Sequence, residues 1–138
     1  MSASDVTRRW AEAVNRHDAA AMAELYAPNA VSRDPAYVEP LEGADAIRKD
    51  MENFLTAFPD LAVDLRTVVE ANGDYAVEST FSGTHQGPFI TPDGDIPPSG
   101  KRFQIAAAGL YRLDGQGRIL DERRYYDMAS LTAQLAAD

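Results

Sequence analysis

The 138-residue chain has the length of one domain, and 45% hydrophobic with 25% charged residues is the make-up of a globule with one core and one solvated surface. With 13 basic against 22 acidic residues the net charge is −9, which speaks against nucleic acid and anionic membrane, since both demand a basic surface. The chain contains no cysteine, so disulfides, thiolate zinc sites, iron–sulfur clusters and a cysteine nucleophile are excluded.

Ser4 is placed to cap a helix in which Val6, Trp10, Ala13, Val14 and His17 recur at helical spacing. Asp18 is placed to cap a second, shorter helix through Met22, Leu25 and Tyr26, which Pro28 stops. Ala30 to Asp34 reads as a short strand ended by Pro35. A third helix follows Gly43, with Ile47, Met51, Phe54, Leu55 and Phe58 on one face and Pro59 closing it.

After Pro59 the hydrophobic period falls from about 3.6 to 2. Leu61, Val63, Leu65, Thr67 and Val69 alternate with Ala62, Asp64, Arg66, Val68 and Glu70. Asn72-Gly73-Asp74 supplies the positive-φ residues of a tight hairpin into a strand from Tyr75 to His85. Gln86 to Gly100 reads as a turn-rich loop. The next strand, Arg102 to Leu113, puts Phe103, Ile105, Ala107, Gly109 and Tyr111 on one face. Asp114 to Gly117 turns it into a last strand, Arg118 to Tyr126, and a closing amphipathic helix carries Met128, Leu131 and Leu135.

Helices followed by consecutive strands predict an α+β fold. If the sheet curls, its concave face and the helices enclose a cavity. The run Ala106-Ala107-Ala108-Gly109 either leaves room for that cavity or lets a helix pack closely on the sheet. No apolar run reaches the roughly 18–20 residues of a spanning helix, and residues 1–10 lack a signal-peptide core. A cytoplasmic location is the expectation.

Several phrases carry a family likeness: Asn15-Arg16-His17-Asp18 after Trp10, Leu25 to Val31, Arg33-Asp34-Pro35, Phe58-Pro59-Asp60-Leu61, Gly83 to Phe89, Ile96 to Lys101, and Tyr125-Tyr126-Asp127-Met128. Together they resemble the SnoaL-like polyketide cyclases of the NTF2-like superfamily, over nearly all of residues 1–138 read as a single domain. The resemblance implies a cone, with a strongly curved mixed or antiparallel sheet, three or four helices at its mouth and a deep apolar pocket. It also implies homodimers packed through the sheet, no cofactor, and an intramolecular aldol ring closure in which a carboxylate takes a proton from beside a carbonyl.

On that resemblance Asp127, at the end of the last strand, corresponds to the acid/base aspartate. Its spacing to Ser130 equally suits the N-cap of the closing helix. Tyr111 stands where the resemblance places a histidine, so a phenol would donate to an enolate oxygen. His85, at the start of the Gly- and Pro-rich loop, either shuttles a proton or ties the loop to a backbone carbonyl. Asp34 is either a turn starter before Pro35 or a second acid/base group. Trp10, Phe54, Phe58, Phe103 and Tyr125 are expected to line the pocket, and His17 to stabilise the end of the first helix.

Asp121-Glu122-Arg123-Arg124 reads as a solvated strand face, with Arg124 reaching inward as a substrate contact. No histidine or carboxylate spacing suggests a metal, and Gln104 stands where a calcium loop around Asp93-Gly94-Asp95 would need glutamate. The expected partner is an apolar small molecule. Three functions remain open: a cofactor-free cyclase with Asp127 as base, a non-catalytic hydrophobic binding or dimerisation module, and epoxide hydrolase or isomerase chemistry. The last requires two carboxylates and an arginine around one water, with Asp34, Asp127 and Arg124 as candidates.

Overall fold

In the computed structural model, which describes residues 2–136, Ser2 rather than Ser4 starts helix α1 (Ala3–Asn15). Asp5 N–H donates to the Ser2 hydroxyl at 3.1 Å and the Asp5 carboxylate reaches back to Ser2, a reciprocal cap that Ser4 cannot form from inside the helix. His17 follows the helix in the left-handed region (φ 60°), its Nε2 2.9 Å from the Leu61 carbonyl, so it ties the helix end to the sheet. Asp18 caps α2 (Ala19–Ala23) as expected. This helix is shorter than its pattern, because Tyr26 already belongs to strand β1 (Tyr26–Arg33), which crosses Pro28 where the pairing is irregular.

A two-residue strand β2 (Leu41–Glu42) precedes α3 (Ala44–Ala57). Then follow β3 (Ala62–Ala71) and β4 (Asp74–Thr84), joined by a turn in which Asn72 (φ 54°) and Gly73 (φ 83°) both adopt positive φ. The segment read as a loop holds a small hairpin, β5 (Phe89–Thr91) and β6 (Gly94–Ile96). Three-residue strands are too short to display alternation among so many turn residues. Strands β7 (Arg102–Leu113) and β8 (Ile119–Tyr125) and helix α4 (Met128–Leu135) complete the chain.

The six-stranded sheet has the order β2-β1-β8-β7-β4-β3 and is curved. All its pairs are antiparallel except β1 with β8, so the sheet is mixed. Helix α1 packs on β3, α3 on β1 and β5, and α4 on β7. The core between them includes Val6, Val14, Met22, Ile47, Phe58, Leu61, Ile119 and Leu131, each 0–1% exposed. Among the described residues no helix is long and apolar enough to cross a membrane.

Candidate active site

Alternation along β8 decides what reaches the concave face. Side chains at spacing two share a face, and with Arg124 turned inward Glu122 and Tyr126 follow it, while Tyr125 and Asp127 turn away. The inward set borders a cavity of about 120 Å³, floored by Val77, Ala107 and Gly109 and walled by Trp10, Met51, Phe54 and Phe81. Its rim carries Ala36, Tyr37 and the hairpin residues Ile90 and Pro92. Gly109 is required here because a Cβ would stand 2.5 Å from the Tyr111 ring, which lies over it and stacks on Tyr75 at 4.9 Å.

One wall of this apolar cavity is charged. Arg124 Nη1 donates to Asp34 Oδ2 at 3.0 Å and to Asp50 Oδ2 at 2.8 Å, while its Nε donates to Glu122 at 3.1 Å. Side-chain exposures of 18% for Arg124, 6% for Asp34, 16% for Asp50 and 1% for Glu122 place all four largely out of water. Burial opposes the arginine's charge, but Glu122, Asp50 and Asp34 outweigh it and hold the guanidinium well above its usual pKa. It is a permanent cation.

Phenols complete the wall. Tyr126 donates to Asp34 Oδ1 at 2.6 Å and Tyr37 to Asp50 Oδ1 at 2.5 Å. Asp34 Oδ1 also accepts the Ala36 N–H at 2.8 Å, so the turn that Asp34-Pro35 starts aims this carboxylate at Arg124. Behind them Glu122 accepts from Tyr26 at 2.8 Å and Ser32 at 2.7 Å, and Trp10 donates to the Tyr26 oxygen at 3.1 Å. Burial first, and then the neighbouring carboxylates, raise the pKa of Tyr26, Tyr37, Tyr111 and Tyr126. All four are donors at neutral pH.

Of the residues singled out from the sequence, the cavity brings together Asp34, Tyr111, Trp10, Phe54 and Arg124. The others lie elsewhere. Asp127 is exposed and accepts the Ser130 N–H at 3.1 Å, which makes it the N-cap of α4 rather than a base in the pocket. Tyr125 is 53% exposed, on the opposite face of the sheet from Arg124. Phe58 and Phe103, 4.6 Å apart, are core residues at 0% and 2% exposure and do not border the cavity. His85 is fully enclosed outside it, its Nδ1 accepting the Ser99 N–H at 3.2 Å and pinning the Gly- and Pro-rich segment. Burial lowers its pKa.

Asp50, Glu122, Tyr37 and Tyr126 were not anticipated. Two of them left a signal. Asp50 stands within the apolar stripe Ile47, Met51, Phe54, Phe58, and Glu122 shares a strand face with the inward Arg124. Among the described residues no group of three or more histidine, aspartate or glutamate side chains is arranged to hold a metal ion.

A sequence model of the SnoaL-like polyketide cyclases matches residues 4–135. The chain belongs to that family. No curated protein sequence matches it. Among solved structures, a SnoaL-like protein from Jannaschia sp. CCS1 superposes with a TM-score of 0.85 at 19% identity, covering 98% of this chain and 92% of the other. IdmH from Streptomyces antibioticus gives 0.77 at 25% identity, covering 96% of each chain. SalBIII, an epoxide hydrolase/cyclase-like enzyme of pyran ring formation in the polyether salinomycin, gives 0.74 at 21% identity and 92% coverage of each. The family's fold is therefore this chain's fold, and the Arg124 cluster is the charged feature of its apolar pocket.

Proposed function

We propose that this family member is a cofactor-independent acid/base enzyme that opens a strained carbon–oxygen ring, an epoxide, by attack of water or of a hydroxyl of the substrate. The observation that carries this reading is that one nitrogen of Arg124 lies within 3.0 Å of both Asp34 and Asp50 in an apolar cavity. Two carboxyl groups held side by side divide acid and base work. One gives its proton to the ring oxygen as the carbon–oxygen bond breaks, and the other takes the proton that the attacking hydroxyl loses. The cluster sets three carboxyl groups against one guanidinium, so it stays negative even with a proton on one of them. Arg124 keeps both carboxyls aimed at the same point and steadies the charge that passes between them. SalBIII lends support only as an epoxide hydrolase/cyclase-like enzyme of this fold with a role in pyran ring formation. The aldol reading loses its base, because Asp127 faces solvent.

The enclosed volume of about 120 Å³, a little below the roughly 150 Å³ of a cavity that takes benzene, suits a short chain. Anything longer extends past Tyr37 and Ile90. We further infer that a second copy of the chain packs on the outer sheet face, where Leu110 (37% exposed) and Tyr125 (53%) stand exposed, and the mass in sedimentation checks this. The catalytic test is hydration of 1,2-epoxyhexane in ¹⁸O-water. Hexane-1,2-diol with one labelled oxygen is expected, and Asp34→Asn and Asp50→Asn should each slow turnover about 10²–10⁴-fold. Turnover that survives both substitutions, or that proceeds equally fast without protein, overturns the reading.

A further inference from the structure

Across the floor from Arg124 stands a polar group with nothing to bind. Ser79 on β4 borders the cavity at 6% exposure, and among the described residues its hydroxyl meets no hydrogen-bond partner. Its surroundings are apolar: Val77 and Phe81 share its strand face and Ala107 sits opposite it on β7. A need for small volume does not account for it, because alanine would be as small and would put no polar atom on this apolar floor. Strand β4 lies two strands from β8, a separation of about 10 Å at the usual strand spacing.

We propose that the Ser79 hydroxyl binds a second oxygen of the substrate, so that the site takes bifunctional compounds. These carry the reacting oxygen at the Arg124 wall and a hydroxyl or carbonyl oxygen at the far end of an apolar spacer of about six carbons. The Ser hydroxyl both donates and accepts, so either group satisfies it. The spacer follows from Ala107 and Val77, which carry no polar side-chain atom, while the Tyr111 hydroxyl over Gly109 is engaged with Glu122. This deepens the catalytic reading above and rests on it for which end reacts, but the recognition step is separable from turnover.

Trp10, the chain's only tryptophan, lines the cavity and reports occupancy by its fluorescence. Titration with hexane-1,6-diol and hexan-1-ol should show the diol bound about three- to tenfold more tightly, the difference one neutral hydrogen bond makes. Ser79→Ala should abolish that preference without lowering the melting temperature of the free protein, and Ser79→Cys, close in size but a poor donor, should do the same. A diol bound no better than the alcohol, a preference that survives Ser79→Ala, or a variant less stable than the parent would each overturn the proposal. If 1,2-epoxyhexane is not hydrated while the diol preference stands, the catalytic reading falls and the recognition site remains.

Discussion

Replacing Glu122 by glutamine tests whether the strand face that reads as solvated is the foundation of the site. Its carboxylate, 1% exposed, accepts Ser32 and Arg124 on one oxygen and Tyr26 on the other. Glutamine keeps the shape and one acceptor. With its carbonyl toward Ser32 and Arg124, its amide faces the Tyr26 hydroxyl, which already accepts from Trp10 and loses an acceptor for its own proton. A buried donor left unpaired costs about 1–3 kcal/mol, and a hydrogen bond to a charged group is worth about 1.5–3 kcal/mol. Glu122→Gln should therefore cost about 2–3 kcal/mol. Glu122→Ala should cost at least the roughly 3–5 kcal/mol of a broken buried ion pair. Urea unfolding at pH 7 measures both. A second readout separates this from simple loosening: with the charge of Glu122 gone, a neutral carbonyl anchors Arg124 Nε less firmly and Asp34 and Asp50 are aimed less strictly, so turnover of the folded glutamine variant should fall while diol binding to Ser79 persists. A stability change below about 0.5 kcal/mol for Glu122→Gln would refute the reasoning, because that is the range of surface substitutions.

His85 predicts a pH dependence. Its folded-state pKa is lowered by burial, so above the unfolded value of 6.5 it is neutral in both states. As pH falls from 6.5 toward the lowered value, the unfolded chain binds the proton first and stability is lost. Urea midpoints between pH 7.5 and 5 should fall less steeply for His85→Gln than for the parent, and equal slopes would exclude the effect. Gly87 predicts a steric one. A Cβ there would stand 2.1 Å from the Thr56 carbonyl oxygen, a backbone atom of α3 that cannot turn aside. Gly87→Ala should lower the melting temperature by about 3–15 °C, from an overpacking cost of about 1–3 kcal/mol.

Two of the misplaced residues share one cause. Arg124 and Tyr125 cannot both face the cavity from a regular strand, and once Arg124 is inward, Tyr125 and Asp127 belong to the other side. The same alternation would have drawn in Glu122 and Tyr126. Asp50 was visible too, as a carboxylate within an apolar helical stripe. Asp127 stands out only through its likeness to relatives, and the period of the strand that carries it points the other way.

Local chemistry was enough to place most elements: Asp18 as a cap, Asn72-Gly73 as a positive-φ turn, Gly43 and Pro59 around α3, and the change of period that divides helices from strands. Each depends on neighbours within a few residues, which is the range over which backbone preference and hydrophobic period act. The site was decided at longer range. Asp34, Asp50 and Arg124 come from β1, α3 and β8, and they meet only because β1 returns parallel to the last strand while α3 packs across it. No local pattern contains that pairing, since it arises from burying one shared apolar face, and the carboxylates are carried together by the elements that bury it.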